Sequence, residues 1–139
     1  MERHTEVLVI EDDPLFRIVL EAAFSSEETM RVRFCSGMAS TATEMARRHQ
    51  PDVIVLDFLL HSGTSGVELA PMLREAAPRS RAVLYTGATD TLTRASQCPA
   101  IDAAVDKLAL REVLPTVRRL ASQTSRPPKA PPAKSSEVA

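Results

Sequence analysis

Apolar and polar positions fall in alternating blocks along this chain. Val7-Leu8-Val9-Ile10 is a short apolar run. Pro14 to Phe24 follows, with Leu15, Ile18, Val19 and Ala22 at helical spacing. Asp13 can cap that helix, and Pro14 suits its first position. Met30-Arg31-Val32-Arg33-Phe34 alternates as a strand does. Residues 40–49 predict a second helix with Ala42, Met45, Ala46 and His49 on one face, stopped by Pro51. Val53 to Leu56 is the next strand. Ser65 and Glu68 have capping-box spacing ahead of a stripe of Leu69, Met72, Leu73 and Ala76, and Pro78 lies beyond it. Ala82-Val83-Leu84-Tyr85 predicts a fourth strand, residues 89–97 a weak helix, and Ala103-Ala104-Val105 a poor fifth strand. Leu110, Val113, Leu114, Val117 and Leu120 form the last helical stripe.

Five strand–helix units in succession predict an α/β fold with helices on both faces of a parallel sheet. The continuous apolar runs agree, because central parallel strands are buried on both sides. The expected architecture is a doubly wound (βα)5 open sheet of order 2-1-3-4-5, the flavodoxin-like arrangement. Its functional crevice should lie at the carboxyl ends of strands 1 and 3, where the winding reverses.

Composition narrows the picture. The 139 residues suit one domain, expected over 1–122. Residues 123–139 hold four prolines and no apolar periodicity, so they are expected to be a disordered tail. Aromatics are only 4% and Trp is absent, which requires an aliphatic core. A net charge of −1 offers no general basic footprint for nucleic acid. Cys35 and Cys98 lack metal-ligand spacing and are expected to be free, inert thiols. No apolar run approaches bilayer length, and acids interrupt the N-terminal run, so neither a span nor a signal peptide is expected. A cytoplasmic protein without membrane attachment follows as the expectation.

The strand ends carry the candidate chemistry. Strand 1 runs into Glu11-Asp12-Asp13, strand 3 into Asp57, strand 4 into Thr86-Gly87 and strand 5 into Asp106-Lys107. Neighbouring strands 1 and 3 should bring Glu11, Asp12 and Asp57 together. Clustered carboxylates repel unless a cation neutralises them. Oxygen-only ligands fit Mg²⁺, with Mn²⁺ as a second candidate. The Thr86 hydroxyl and Lys107 ammonium would suit the oxygens of a phosphoryl group. Asp57 would then be a rigidly placed nucleophile giving an aspartyl phosphate.

In this order the pieces VLVIEDDP, DVIVLDF, VLYTG and VDK resemble the receiver domain of two-component response regulators. The resemblance spans residues 5 to about 122. It implies that Asp57 is the phospho-acceptor and that Glu11 and Asp12 are the acidic pair, with Asp12 the direct metal ligand. It further implies that the backbone carbonyl of Leu59 is a third protein ligand, and that Thr86 and Lys107 engage the phosphoryl group. The implied donor is a sensor histidine kinase or phosphotransfer protein. The implied output is a protein–protein surface, with a homodimer as one form. No DNA-binding module follows residue 122, so a stand-alone receiver without direct DNA binding is expected, and enzymatic activity beyond self-phosphorylation and dephosphorylation is not.

The sequence departs from the family pattern in four places. Ala104 stands where an aromatic residue usually precedes the lysine by three, and Tyr85, the single tyrosine, precedes Thr86 and is expected by alternation to point elsewhere. His61-Ser62-Gly63-Thr64 fills a loop that usually carries a proline and is shorter. The segment from Thr86 to Lys107 is a residue short. Pro115 falls inside the last helical stripe, so that helix should begin only near 115. Most of these lie on the face of strand 5 and the last two helices, which puts the usual output in question more than the chemistry. Apolar Leu59 and Ala88, each two residues past a site residue, suggest slow hydrolysis of the phosphoryl group.

Plainer readings compete. The acids could simply cap a helix, Asp57 a strand end, and Lys107 could be solvated. His61 reads as an exposed loop residue, Arg118-Arg119 as the wet side of a helix, and the PxxP of Pro128–Pro131 as plain tail. A pseudo-receiver that binds protein without being phosphorylated is the main alternative function. An aspartyl phosphatase would need an acid two residues after Asp57, where Leu59 stands. No G-x-G-x-x-G supports a dinucleotide site.

Overall fold

The computed structural model describes residues 4–60, 63–87, 93–95 and 97–123. The tail expected over 123–139, save Gln123, lies outside the described residues, as do His61 and Ala88. The order is β1 (Thr5–Ile10), α1 (Pro14–Phe24), β2 (Met30–Cys35), α2 (Ala39–His49), β3 (Val53–Asp57), α3 (Gly66–Ala76), β4 (Arg81–Thr86) and β5 (Ala103–Asp106). A 3₁₀ segment, Lys107–Glu112, leads into α4 (Val113–Ala121). The helix expected near 89–97 falls mostly outside the described residues, of which 93–95 are helical.

All five strands are parallel, in the order β2-β1-β3-β4-β5 expected from the sequence. Every residue of β3 and β4 is buried, and so are the last four of β1. Edge strands β2 and β5 are mostly half-exposed, which explains the alternation in one and the weakness of the other. Alternation sorts the side chains. Leu8, Ile10, Ile54, Leu56 and Leu84 pack against Ala42, Ala46, Leu69 and Leu73 of α2 and α3. Val7, Val9, Val55, Val83, Tyr85 and Val105 pack against Leu20 and Phe24 of α1 and Val113, Val117 and Leu120 of α4. The core is aliphatic with few rings, as the composition requires.

Helix ends follow local chemistry. The Asp13 carboxylate accepts the Leu15 amide at 2.8 Å, and Pro14 opens α1 where no amide donor is needed. Ser65 and Glu68 form the reciprocal capping box of α3. Pro71 sits on the exposed side of α3, where water can meet the backbone carbonyl it leaves unpaired.

Two expectations are corrected. In α1 the stripe of Leu15, Ile18, Val19 and Ala22 does not face the sheet. Leu15 is 67% and Ile18 62% exposed, while Leu20 and Phe24 are buried and Phe16 half-buried. The helix carries two apolar stripes, and the one with larger rings at i, i+4 spacing takes the core. The last helix begins at Val113, two residues before Pro115, so the proline occupies the first turn, where its missing N–H costs nothing. The 3₁₀ segment, with Ala109 at φ −117° and ψ 48°, is the looser connection before it.

Candidate functional site

The carboxyl end of the sheet gathers a row of side chains on the α1/α4 face. Asp57 ends β3 and is in register with Tyr85 of β4. Tyr85 is in register with Val105 of β5. Glu11 follows Ile10, which is in register with Leu56, so Glu11 stands beside Asp57. Equal parity in adjacent parallel strands puts Glu11, Asp57 and Tyr85 on one face. Lys107, two residues after Val105, completes the row.

The row is buried and densely bonded. Glu11 is 1%, Asp57 3% and Tyr85 0% exposed. Lys107 Nζ lies 3.1 Å from Asp57 Oδ2, and the Leu59 amide donates to Asp57 Oδ1 at 3.2 Å. The Tyr85 hydroxyl donates to Glu11 Oε1, and the Asp13 amide donates to Glu11 Oε2 at 2.9 Å. The Lys107 ammonium also lies over the Phe16 ring, 4.1 Å from its centroid, and 5.3 Å from that of Tyr85. Burial pushes the Glu11 carboxyl up to about 7 from an ordinary 4.5; Asp57 adds to the rise, against the Asp13 amide and Lys107, which lower it.

The remaining expected residues take distinct places. Asp12 turns toward β2 and α2, where its Oδ1 accepts the Gly37 amide at 2.8 Å. Thr86 is 2% exposed at the end of β4, in register with Asp106 and, by alternation, on the face opposite Tyr85. The Leu59 side chain is 69% exposed. Ala104 is exposed. Cys35 and Cys98 are free thiols, and burial pushes the Cys35 thiol up to about 11, which keeps it un-ionised.

Phe16 and Tyr85 are site residues to which the sequence assigned no role; Tyr85 does point away from Thr86, as alternation predicts, and in doing so joins Asp57 on the α1 face. The available signal was parity. Asp57 ends a run whose odd positions face α1, and Tyr85 sits at the matching position of the next strand. Phe16, Leu20 and Phe24 share the other stripe of α1.

Two buried carboxylates side by side, one with a raised pKa, present hard oxygens and a demand for positive charge beyond Lys107. That is the environment of a hydrated divalent cation. Among the described residues no three His, Cys, Asp or Glu side chains form an all-protein cage. Mg²⁺ needs none, since it binds through one or two carboxylates and keeps several waters. The donor set fits such an ion.

Known proteins agree with this geometry. The family model described as "Response regulator receiver domain" matches residues 7–116. A protein-glutamate methylesterase/protein-glutamine glutaminase from Nitrosospira multiformis is 33% identical over 97 residues, which are 70% of this chain and 27% of that protein. The chain therefore spans about a quarter of that relative's length. A CheY-like receiver from Methanospirillum hungatei superposes with a TM-score of 0.75 at 15% identity, covering 88% of this chain and 97% of the other. The response regulator domain of Thermotoga maritima CheB gives 0.71 at 23% identity, over 91% and 100%. A Burkholderia pseudomallei response regulator, solved with a phosphorylated aspartic acid, a calcium ion and citrate, gives 0.70 at 23%, over 87% and 71%. Among the described residues no helix is long and apolar enough to cross a membrane. The match over residues 7–116, on a sheet whose acids meet at its switch point, establishes that the chain belongs to the response regulator receiver domain family.

Proposed function

We propose that this receiver is a phosphorylation-controlled signalling switch whose acceptor is Asp57, fed by a histidine kinase or phosphotransfer protein and read out through protein–protein contacts. The observation that carries this reading is the Asp57 carboxylate itself. It is buried, held by Lys107 on one oxygen and the Leu59 amide on the other, and placed beside Glu11.

A fixed carboxylate needs no reorientation to attack. One Asp57 oxygen forms a bond to phosphorus as the bond to the donor imidazole breaks, and the electron pair leaves with the imidazole. The site passes from a carboxylate to a more highly charged acyl phosphate. Lys107 then meets phosphoryl oxygens instead of the carboxylate alone, and the Thr86 hydroxyl, at the end of the adjoining strand but on its other face, would turn toward the group to supply a further donor. Glu11, Asp12, Asp57 and the Leu59 carbonyl would hold Mg²⁺, whose charge would offset that of the transferring group. The exposed apolar stripe of Leu15, Ile18 and Val19 on α1 supports contact with a partner protein. The reading places the chain in the cytoplasm, where kinase and donor nucleotide are found.

Intact-mass spectrometry after incubation with Mg²⁺ and acetyl phosphate tests the reading. A single metal-dependent phosphoryl adduct is expected on the full chain and not on Asp57→Asn. A second reading, a protein-binding module that is not phosphorylated, draws on Asp12 turning to the Gly37 amide and on the small, exposed Ala104. No adduct, with no Mg²⁺ binding, would favour it.

A further inference from the structure

Tyr85 occupies a place that the acceptor chemistry does not itself require. It is wholly buried and in register with Asp57 on the adjoining strand. Its hydroxyl donates to Glu11 Oε1, while the Asp13 amide holds Oε2, so both oxygens of that carboxylate are fixed. Its ring packs against Phe16, centroids 6.5 Å apart, and forms one wall of the aromatic seat on which the Lys107 ammonium rests. One side chain thus contacts the Glu11 carboxylate, the Lys107 ammonium and helix α1. A carboxylate with two fixed oxygens presents its lone pairs in one orientation, and outer partners of this kind set the affinity of a metal site.

We propose that Tyr85 is a positioning residue of the acceptor site: its hydroxyl orients the Glu11 carboxylate toward the divalent cation, and its ring seats Lys107 against Asp57. The proposal rests on the phospho-acceptor reading above. It assigns the orienting role to a strand position that faces α1, on the opposite side of β4 from Thr86. Hydroxyl and ring are separable, since Tyr85→Phe removes the first and keeps the second.

Mn²⁺ and Mg²⁺ titrations of the full chain test it, read by calorimetry. A spectroscopic readout is built in. Tyr85 is the chain's single tyrosine and Trp is absent, so tyrosine absorption and emission report this residue alone. Cation binding should perturb the Tyr85 signal in the wild type, and Glu11→Gln should blunt that response. Tyr85→Phe should bind Mn²⁺ about tenfold more weakly with the same melting cooperativity. Its acetyl phosphate reaction should need more metal for half-maximal rate but reach a near-normal rate at saturation. Tyr85→Leu should lose maximal rate as well, through Lys107. A folded Tyr85→Phe with wild-type Mn²⁺ affinity overturns the proposal while leaving Asp57 as acceptor intact. A wild type that binds Mn²⁺ with the Tyr85 response but takes no phosphoryl group keeps the positioning role and overturns the switch reading. A wild type that binds neither cation overturns both.

Discussion

Lys107 Nζ stands 3.1 Å from Asp57 Oδ2, with 17% of the lysine side chain and 4% of the aspartate side chain exposed. Surface ion pairs are weak, but this one holds a buried carboxylate that already neighbours Glu11. Lys107→Met should therefore destabilise the metal-free protein by about 3 kcal/mol at neutral pH, since it leaves two adjacent acids without that cation. Mg²⁺ should restore part of the loss. Urea denaturation with and without Mg²⁺ measures both effects.

Glu11 makes stability depend on pH in an unusual direction for a carboxylate. Its folded pKa is raised from 4.5 to about 7, chiefly by burial. The folded state then holds more protons than the unfolded state between those values, so stability falls as pH rises through the window. The contribution is fully present below about 4.5 and is lost above about 7, amounting to at most about 3 kcal/mol. Denaturation without metal near pH 5 and near pH 8 should show the decline. Glu11→Gln should flatten it, and Mg²⁺ should recover stability mainly on the alkaline side.

The amino-terminal pole of the sheet holds a second buried pair, at the opposite end from Asp57. Arg81 Nη1 lies 3.7 Å from Asp102 Oδ1, and the two side chains are 9% and 6% exposed. Asp102 Oδ2 also accepts the Ala82 amide at 2.8 Å, and Arg81 Nη2 donates to the Gln123 carbonyl at 3.3 Å. Removing the acid takes the anion from a buried guanidinium and the acceptor from the Ala82 amide. Asp102→Ala should cost about 3–5 kcal/mol, more than Arg81→Met, and the double variant should lose less than the sum. Mn²⁺ affinity should be unchanged in all three, which separates this pole from the site.

The sheet order could be read in advance because β1, β3 and β4 are buried on both faces and so appear as unbroken apolar runs. That Glu11 meets Asp57 could be read because neighbouring strands β1 and β3 each deliver an acid at the carboxyl end, whereas the turn of Asp12 to the Gly37 amide could not. Two further features could not. Periodicity finds an apolar stripe on α1 but does not say which of two stripes meets the sheet; Phe16, Leu20 and Phe24 won over Leu15, Ile18 and Val19. Alternation predicts that Tyr85 points away from Thr86, but not that this direction leads to Asp57. Only the register between β3 and β4 shows that Tyr85, not Thr86, shares a face with Asp57.

Gly37 links backbone geometry to Asp12, which the proposed function assigns to the metal. Its amide donates to Asp12 Oδ1 at 2.8 Å. A Cβ at this position would lie 2.6 Å from Asp12 Oδ2 and 2.6 Å from Leu60 Cδ2, so the glycine is required by close approach. Gly37→Ala must displace the Asp12 carboxylate, the Leu60 side chain or the loop ahead of α2. Overpacking of this kind costs about 1–3 kcal/mol. If Asp12 serves the cation, the variant should lose stability and Mg²⁺ affinity together, whereas Leu60→Ala should lose stability alone. Thermal melts paired with Mg²⁺ calorimetry on the two variants check this. Equal Mg²⁺ affinity in Gly37→Ala and wild type would mean that the Gly37 contact holds only the loop, and that Asp12 reaches the ion independently of it.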